Sequence, residues 1–128
     1  MKNFIAKNRI RIENTFTDNN PNMTDSANMN HFKSTLRMGK RQMTIIFSQG
    51  YGIQGEPTAA SVLDCLASDA AGVENARSFE DWCGDYGYDT DSRKAENIFK
   101  ACEKQAEKLK NFLGDDLYKA CLYDTERL

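Results

Sequence analysis

Between residues 8 and 48 the chain alternates. Ile10 and Ile12, continued by Asn14 and Phe16, fall on one side of an extended segment, with Arg9, Arg11 and Glu13 on the other. This period of two predicts a strand over 8–16. His31 to Met38 alternates again, with Phe32, Ser34, Leu36 and Met38 facing one way and His31, Lys33, Thr35 and Arg37 the other. Gly39-Lys40 fits a two-residue hairpin turn whose first position favours a glycine, because positive φ costs that residue nothing. Arg41 to Ser48 is then the return strand, with Met43, Ile45 and Phe47 inward. The stretch between the first two strands, 17–30, is dominated by Asn, Asp, Ser and Thr and reads as a long polar loop.

Beyond residue 56 the period changes to that of a helix. Pro57 suits a first turn, and Ala59, Val62, Leu63, Leu66 and Ala70 form one stripe that runs up to Gly72. Ser78 is placed to cap a short helix from Phe79 to about Asp85, with Asp81 at the capping-box position and Gly84 and Gly87 as stops. Asp91 or Ser92 caps a third helix. There Ala95, Ile98, Phe99, Cys102, Ala106, Leu109, Phe112 and Leu113 keep helical spacing until Gly114. Asp115 and Asp116 open a last helix carrying Leu117, Tyr118, Cys121 and Leu122. Strands first and helices second predict an α+β fold: a three-stranded antiparallel sheet with three or four helices packed on one face. At 128 residues the chain is expected to form a single domain, strands over 1–50 and helices over 57–128. No stretch approaches the ~20 apolar residues of a membrane span. The first eleven residues lack the apolar core of a signal peptide, so a soluble cytoplasmic protein is expected.

Charge sharpens this picture. The net charge is −2, but residues 1–50 carry eight Lys and Arg against three Asp and Glu, and residues 51–128 carry nine against sixteen. From Glu56 to Asp91 there are nine acids and one base, Arg77. Such asymmetry constrains partners rather than fold.

The chemistry-bearing groups are few. Gly50-Tyr51-Gly52-Ile53-Gln54-Gly55 matches G-x-G-x-x-G, yet a hairpin strand precedes it, Glu56 and Pro57 follow it, and no acid-bearing second strand comes after. A connector is expected there. Cys65, Cys83, Cys102 and Cys121 lie 18, 19 and 19 residues apart without any C-x-x-C, so they are expected as free core thiols rather than metal ligands or disulfides. The single histidine, His31, has no evident nucleophile beside it, and no enzyme or cofactor is predicted. Asp85, Asp89 and Asp91 offer hard-cation ligands but lack the glycine and distal glutamate of a calcium loop; a metal-dependent enzyme at that cluster is an alternative reading.

Two surfaces are candidates for binding. Glu80, Asp81, Asp85, Asp89 and Asp91 are interleaved with Trp82, Tyr86 and Tyr88, so carboxylates rim aromatic side chains of the kind that anchor protein interfaces. Lys33, Arg37, Lys40 and Arg41 on the hairpin, with Arg9 and Arg11 nearby, are the alternative, a basic sheet face for nucleic acid. An acidic chain with little aromatic interleaving on that face is expected not to bind nucleic acid directly.

The run from Phe79 to Glu96, the segments Pro57-Thr58 and Val62 to Leu66, and the closing Thr125 to Leu128, together with the hairpin, resemble a recurrent group of short bacteriophage and prophage accessory proteins. The resemblance spans nearly the whole chain but brings no catalytic motif. It implies a mobile-element protein of the kind that includes inhibitors of host defence, anti-CRISPR proteins among them. The resulting expectation is a non-enzymatic inhibitor acting in the bacterial cytoplasm. Its partner would be a host complex with a basic nucleic-acid groove, engaged through Glu80 to Asp91.

Overall fold

The computed structural model describes residues 1–17, 31–48 and 57–126, with side chains described for 1–15, 33–46 and 57–123. In chain order the elements are α1 (Lys2–Asn8), β1 (Arg11–Thr17), β2 (His31–Met38), β3 (Arg41–Ser48), α2 (Ala59–Asn75), α3 (Phe79–Tyr86), α4 (Arg93–Leu113) and α5 (Asp115–Glu126). The fold is therefore α+β, with a three-stranded antiparallel sheet in the order β1-β2-β3. The polar stretch over 18–30 and the glycine-rich connector over 49–56 lie outside the described residues. No helix among the described residues is long and apolar enough to cross a membrane.

One element departs from the sequence reading. Residues 2–8 form a helix, so the first strand begins at Arg11 and not at Asn8. Seven residues hold too few turns to show a helical period. Arg9, in the left-handed conformation at φ 53°, closes this helix where a glycine is usual. The Arg9 N–H donates to the Ala6 carbonyl at 3.3 Å and the Ile10 N–H to the Ile5 carbonyl at 3.1 Å, and Ile10 is buried. The other boundaries move little: α2 runs past Gly72 to Asn75, and α3 passes through Gly84 to end at Gly87, φ 74°.

Two compact units make up the chain, Met1–Leu63 and Asp64–Leu128. In the first, the hairpin register pairs Met38 with Arg41 across Gly39-Lys40, and Gly39 has φ 61° while Lys40 does not turn positive. That is the glycine-first turn whose twist matches the strands it joins. The register then aligns Ile12, Leu36 and Met43 in one row and Asn14, Ser34 and Ile45 in the next. Leu36, Met43 and Ser34 are buried. A fully buried hydroxyl is costly unless bonded. Ser34 Oγ donates to Asn14 Oδ1 at 2.7 Å, and Asn14 Nδ2 donates to the Pro57 carbonyl at 2.6 Å. The same relay ties the segment entering α2 to the sheet.

The second unit is helical. Ser92 caps α4, its hydroxyl accepting from the Ala95 N–H at 3.2 Å, and α4 buries Ala95, Cys102, Ala106, Leu109, Phe112 and Leu113. From α5, Tyr118 and Cys121 enter the core. Tyr118 Oη donates to Glu74 Oε1 of α2 at 2.9 Å. None of the four cysteines is in a disulfide; Cys83, Cys102 and Cys121 are buried and Cys65 is half-buried.

Candidate functional site

The acidic corner is built by α3 and the turn that leads into α4. The start of α3 is held by a reciprocal cap: Ser78 Oγ accepts from the Asp81 N–H at 3.2 Å, and Asp81 Oδ2 accepts from the Arg77 N–H at 3.1 Å. Asp81 is thus engaged in starting the helix, and Glu80 and Asp81 together complement its positive end. Trp82, one residue on, points inward. It is 3% exposed and forms a core cluster with Cys83 and Ala95, against which Phe79, Ile98 and Phe99 pack. The indole meets Phe99 edge-on at 5.2 Å and Phe79 at 6.3 Å. The interior is the physical destination of so large a ring. Trp82 is therefore not available as a direct contact residue; it supports the surface from beneath.

Two tyrosines lie over it. Gly87 in the left-handed conformation reverses the chain, and the Tyr88 N–H donates to the Cys83 carbonyl at 2.8 Å. The Tyr88 ring then stacks on Trp82, centroids 5.3 Å apart and planes within 7°. Tyr86 approaches Trp82 at 5.2 Å with a 41° tilt. Tyr86 and Tyr88 are 52% and 37% exposed. The Tyr86 hydroxyl fits over Gly72 of α2, where a β-carbon would collide with it.

Around this rack Glu80, Asp85, Asp89 and Asp91 are all exposed. Among the described residues none of the four is in an ion pair. Asp89 shapes the turn: its Oδ1 accepts from the Asp91 N–H at 3.3 Å, and its carbonyl accepts from the Ser92 N–H at 3.1 Å. Burial pushes the Cys83 thiol above its ordinary pKa, and the charges of Glu80 and Asp89 push it further. Those two carboxylates, nine positions apart in sequence, thus act on one point. Burial, then Asp69, Cys102 and Asp85, raise Tyr86 in the same way. The Tyr86 hydroxyl therefore keeps its proton at physiological pH. No group of three His, Cys, Asp or Glu side chains among the described residues is arranged to hold a metal ion.

The basic hairpin is dispersed. Lys33 and Arg37 share one sheet face, Arg41 falls on the opposite face beside Met38, and Lys40 sits in the turn. Arg37 is occupied, donating to Gln42 Oε1 at 2.6 Å and to Glu13 Oε2 at 3.3 Å. Arg11 lies directly across from Arg37. A further concavity, unforeseen in the sequence, is an open groove of about 390 Å³ lined by Glu74, Lys110, Asp115, Tyr118 and Lys119 among others. Within its lining, Tyr118 bonds Glu74 across 44 positions, a juxtaposition that no local pattern shows. Its two lysines and two carboxylates give no preference for either sign of ligand.

No family model, characterised protein or solved structure matches the chain. The acidic corner therefore stands on its own chemistry.

Proposed function

We propose that the protein is a non-enzymatic inhibitor, of phage or mobile-element origin, that occupies the basic nucleic-acid groove of a host defence complex such as a CRISPR effector. The observation that carries the reading is the set of exposed carboxylates, Glu80, Asp85, Asp89 and Asp91, outside any ion pair among the described residues and gathered around two half-exposed tyrosines. Groups of this kind compete with phosphates for Lys and Arg contacts, and their attraction steers association and weakens with salt. The resemblance to phage accessory proteins supports the cellular setting. Asp81 contributes through the helix cap, and Trp82 by holding the tyrosines in place.

The test is inhibition of target-DNA binding by a panel of guide-loaded CRISPR effector complexes, read by gel shift at two salt concentrations. The expected result is salt-sensitive inhibition of one complex that is lost when Glu80, Asp85, Asp89 and Asp91 become Gln and Asn. Inhibition undiminished in that variant overturns the assignment of the surface. A shift of labelled DNA by the protein alone, abolished on neutralising Arg37 and Arg41, assigns function to the hairpin instead.

A further inference from the structure

The stacked pair of rings narrows the chemistry of the partner. Tyr88 lies parallel to Trp82, and its position is fixed three times over: by the left-handed Gly87, by its N–H bond to Cys83 and by the buried indole behind it. One side of the phenol ring is thus covered while the residue keeps more than a third of its surface open. Asp89 follows it directly, with its own carboxylate oriented by the Asp91 N–H. An ordered phenol ring, followed directly in the chain by an oriented carboxylate, suits a cation that is flat. Guanidinium is planar and weakly hydrated, stacks on aromatic faces and presents two parallel N–H donors to a carboxylate. Ammonium is compact and strongly hydrated and gains less from the ring.

We infer that Tyr88, backed by Trp82 and flanked by Asp89, is a stacking platform for an arginine side chain of the partner protein. This rests on the acidic corner being the binding surface, and it adds a selection of arginine over lysine that charge alone does not provide. The charge of the corner selects a cationic segment as occupant, and the ring stack selects which cation.

The experiment is calorimetric titration of the full chain with an arginine-rich and a lysine-rich peptide of equal length and charge. The arginine peptide is expected to bind roughly three- to fivefold tighter. Tyr88→Leu removes that preference and leaves lysine-peptide affinity nearly unchanged, whereas Tyr88→Phe, which keeps the ring, retains it. Circular dichroism confirms that each variant is folded. Equal affinity for the two peptides, binding of neither, or a preference that survives in Tyr88→Leu overturns the arginine platform. The acidic reading is separated by the variant with Asp85, Asp89 and Asp91 changed to Asn. If both peptides bind equally but weaken together in it, the platform alone fails. If both bind it undiminished, the acidic surface fails as well.

Discussion

Replacing Gly72 by alanine sets two effects of opposite sign against each other. Gly72 lies inside α2 with ordinary helical backbone, where alanine normally stabilises by about 1 kcal/mol through helix propensity and a less flexible unfolded chain. Its new β-carbon, however, would collide with the Tyr86 hydroxyl and lie 3.0 Å from the ring carbon that bears it. The ring must swing out. Tyr86 is about half-buried, so up to ~100 Å² returns to water, worth at most ~2.5 kcal/mol at ~25 cal/mol per Å². Its ring contact with Trp82 is worth about 1 kcal/mol more. The loss exceeds the gain, and Gly72→Ala is expected to destabilise by about 1–2 kcal/mol. In a unit of this size that lowers the melting temperature by roughly 4–8 °C per kcal/mol. The assay is a double-mutant cycle in urea with Tyr86→Ala as the second change. With the ring gone, Gly72→Ala should become stabilising by about 1 kcal/mol. An alanine that stabilises the unaltered protein, or one whose effect is the same in both backgrounds, refutes the reasoning.

Asn14→Ala strands both the buried Ser34 hydroxyl and the Pro57 carbonyl, and a loss of about 2–3 kcal/mol in urea denaturation is expected, against about 1 kcal/mol for Ser34→Ala. Ser78→Ala removes the α3 cap and should cost about 1 kcal/mol, with faster amide exchange confined to the first turn of α3. Stability should fall at alkaline pH. Burial holds the Cys102 thiol up at about 11 from 9.0 and raises Cys65, Cys83, Tyr86 and Tyr118 as well. The fold keeps these protons longer than the unfolded chain does, so their stabilisation declines in alkali; for Cys102 it is complete below pH 9.0 and is lost as pH rises toward about 11. Melting temperatures across that range, with Cys102→Ala flattening part of the decline, check the sign.

The elements that could be read from sequence are those with a local cause. The hairpin is legible because alternation on both sides of Gly39-Lys40 leaves one register in which Leu36 and Met43 share a face. The capped helices α3 and α4 are legible from Ser78 and Ser92, whose side chains make the predicted bonds. Helix α1 is not, since it is short and closed by an arginine in a glycine's conformation. At the acidic corner the residues were legible but their division of labour was not. Burial of Trp82 depends on Phe99 in α4, and the seating of Tyr86 depends on Gly72 in α2. The dispersal of the hairpin cations has a simpler reason: period two puts Arg37 and Arg41 on opposite faces once the turn is fixed at two residues.

The burial of the indole has a practical consequence. Trp82 is the single tryptophan in the chain, and both half-exposed tyrosines touch it. Its emission therefore comes from one known address, directly behind the ring faces on which a guest would land. Whatever settles on Tyr88 alters the surroundings of that chromophore, so the molecule carries its own optical gauge of occupancy, readable without a label.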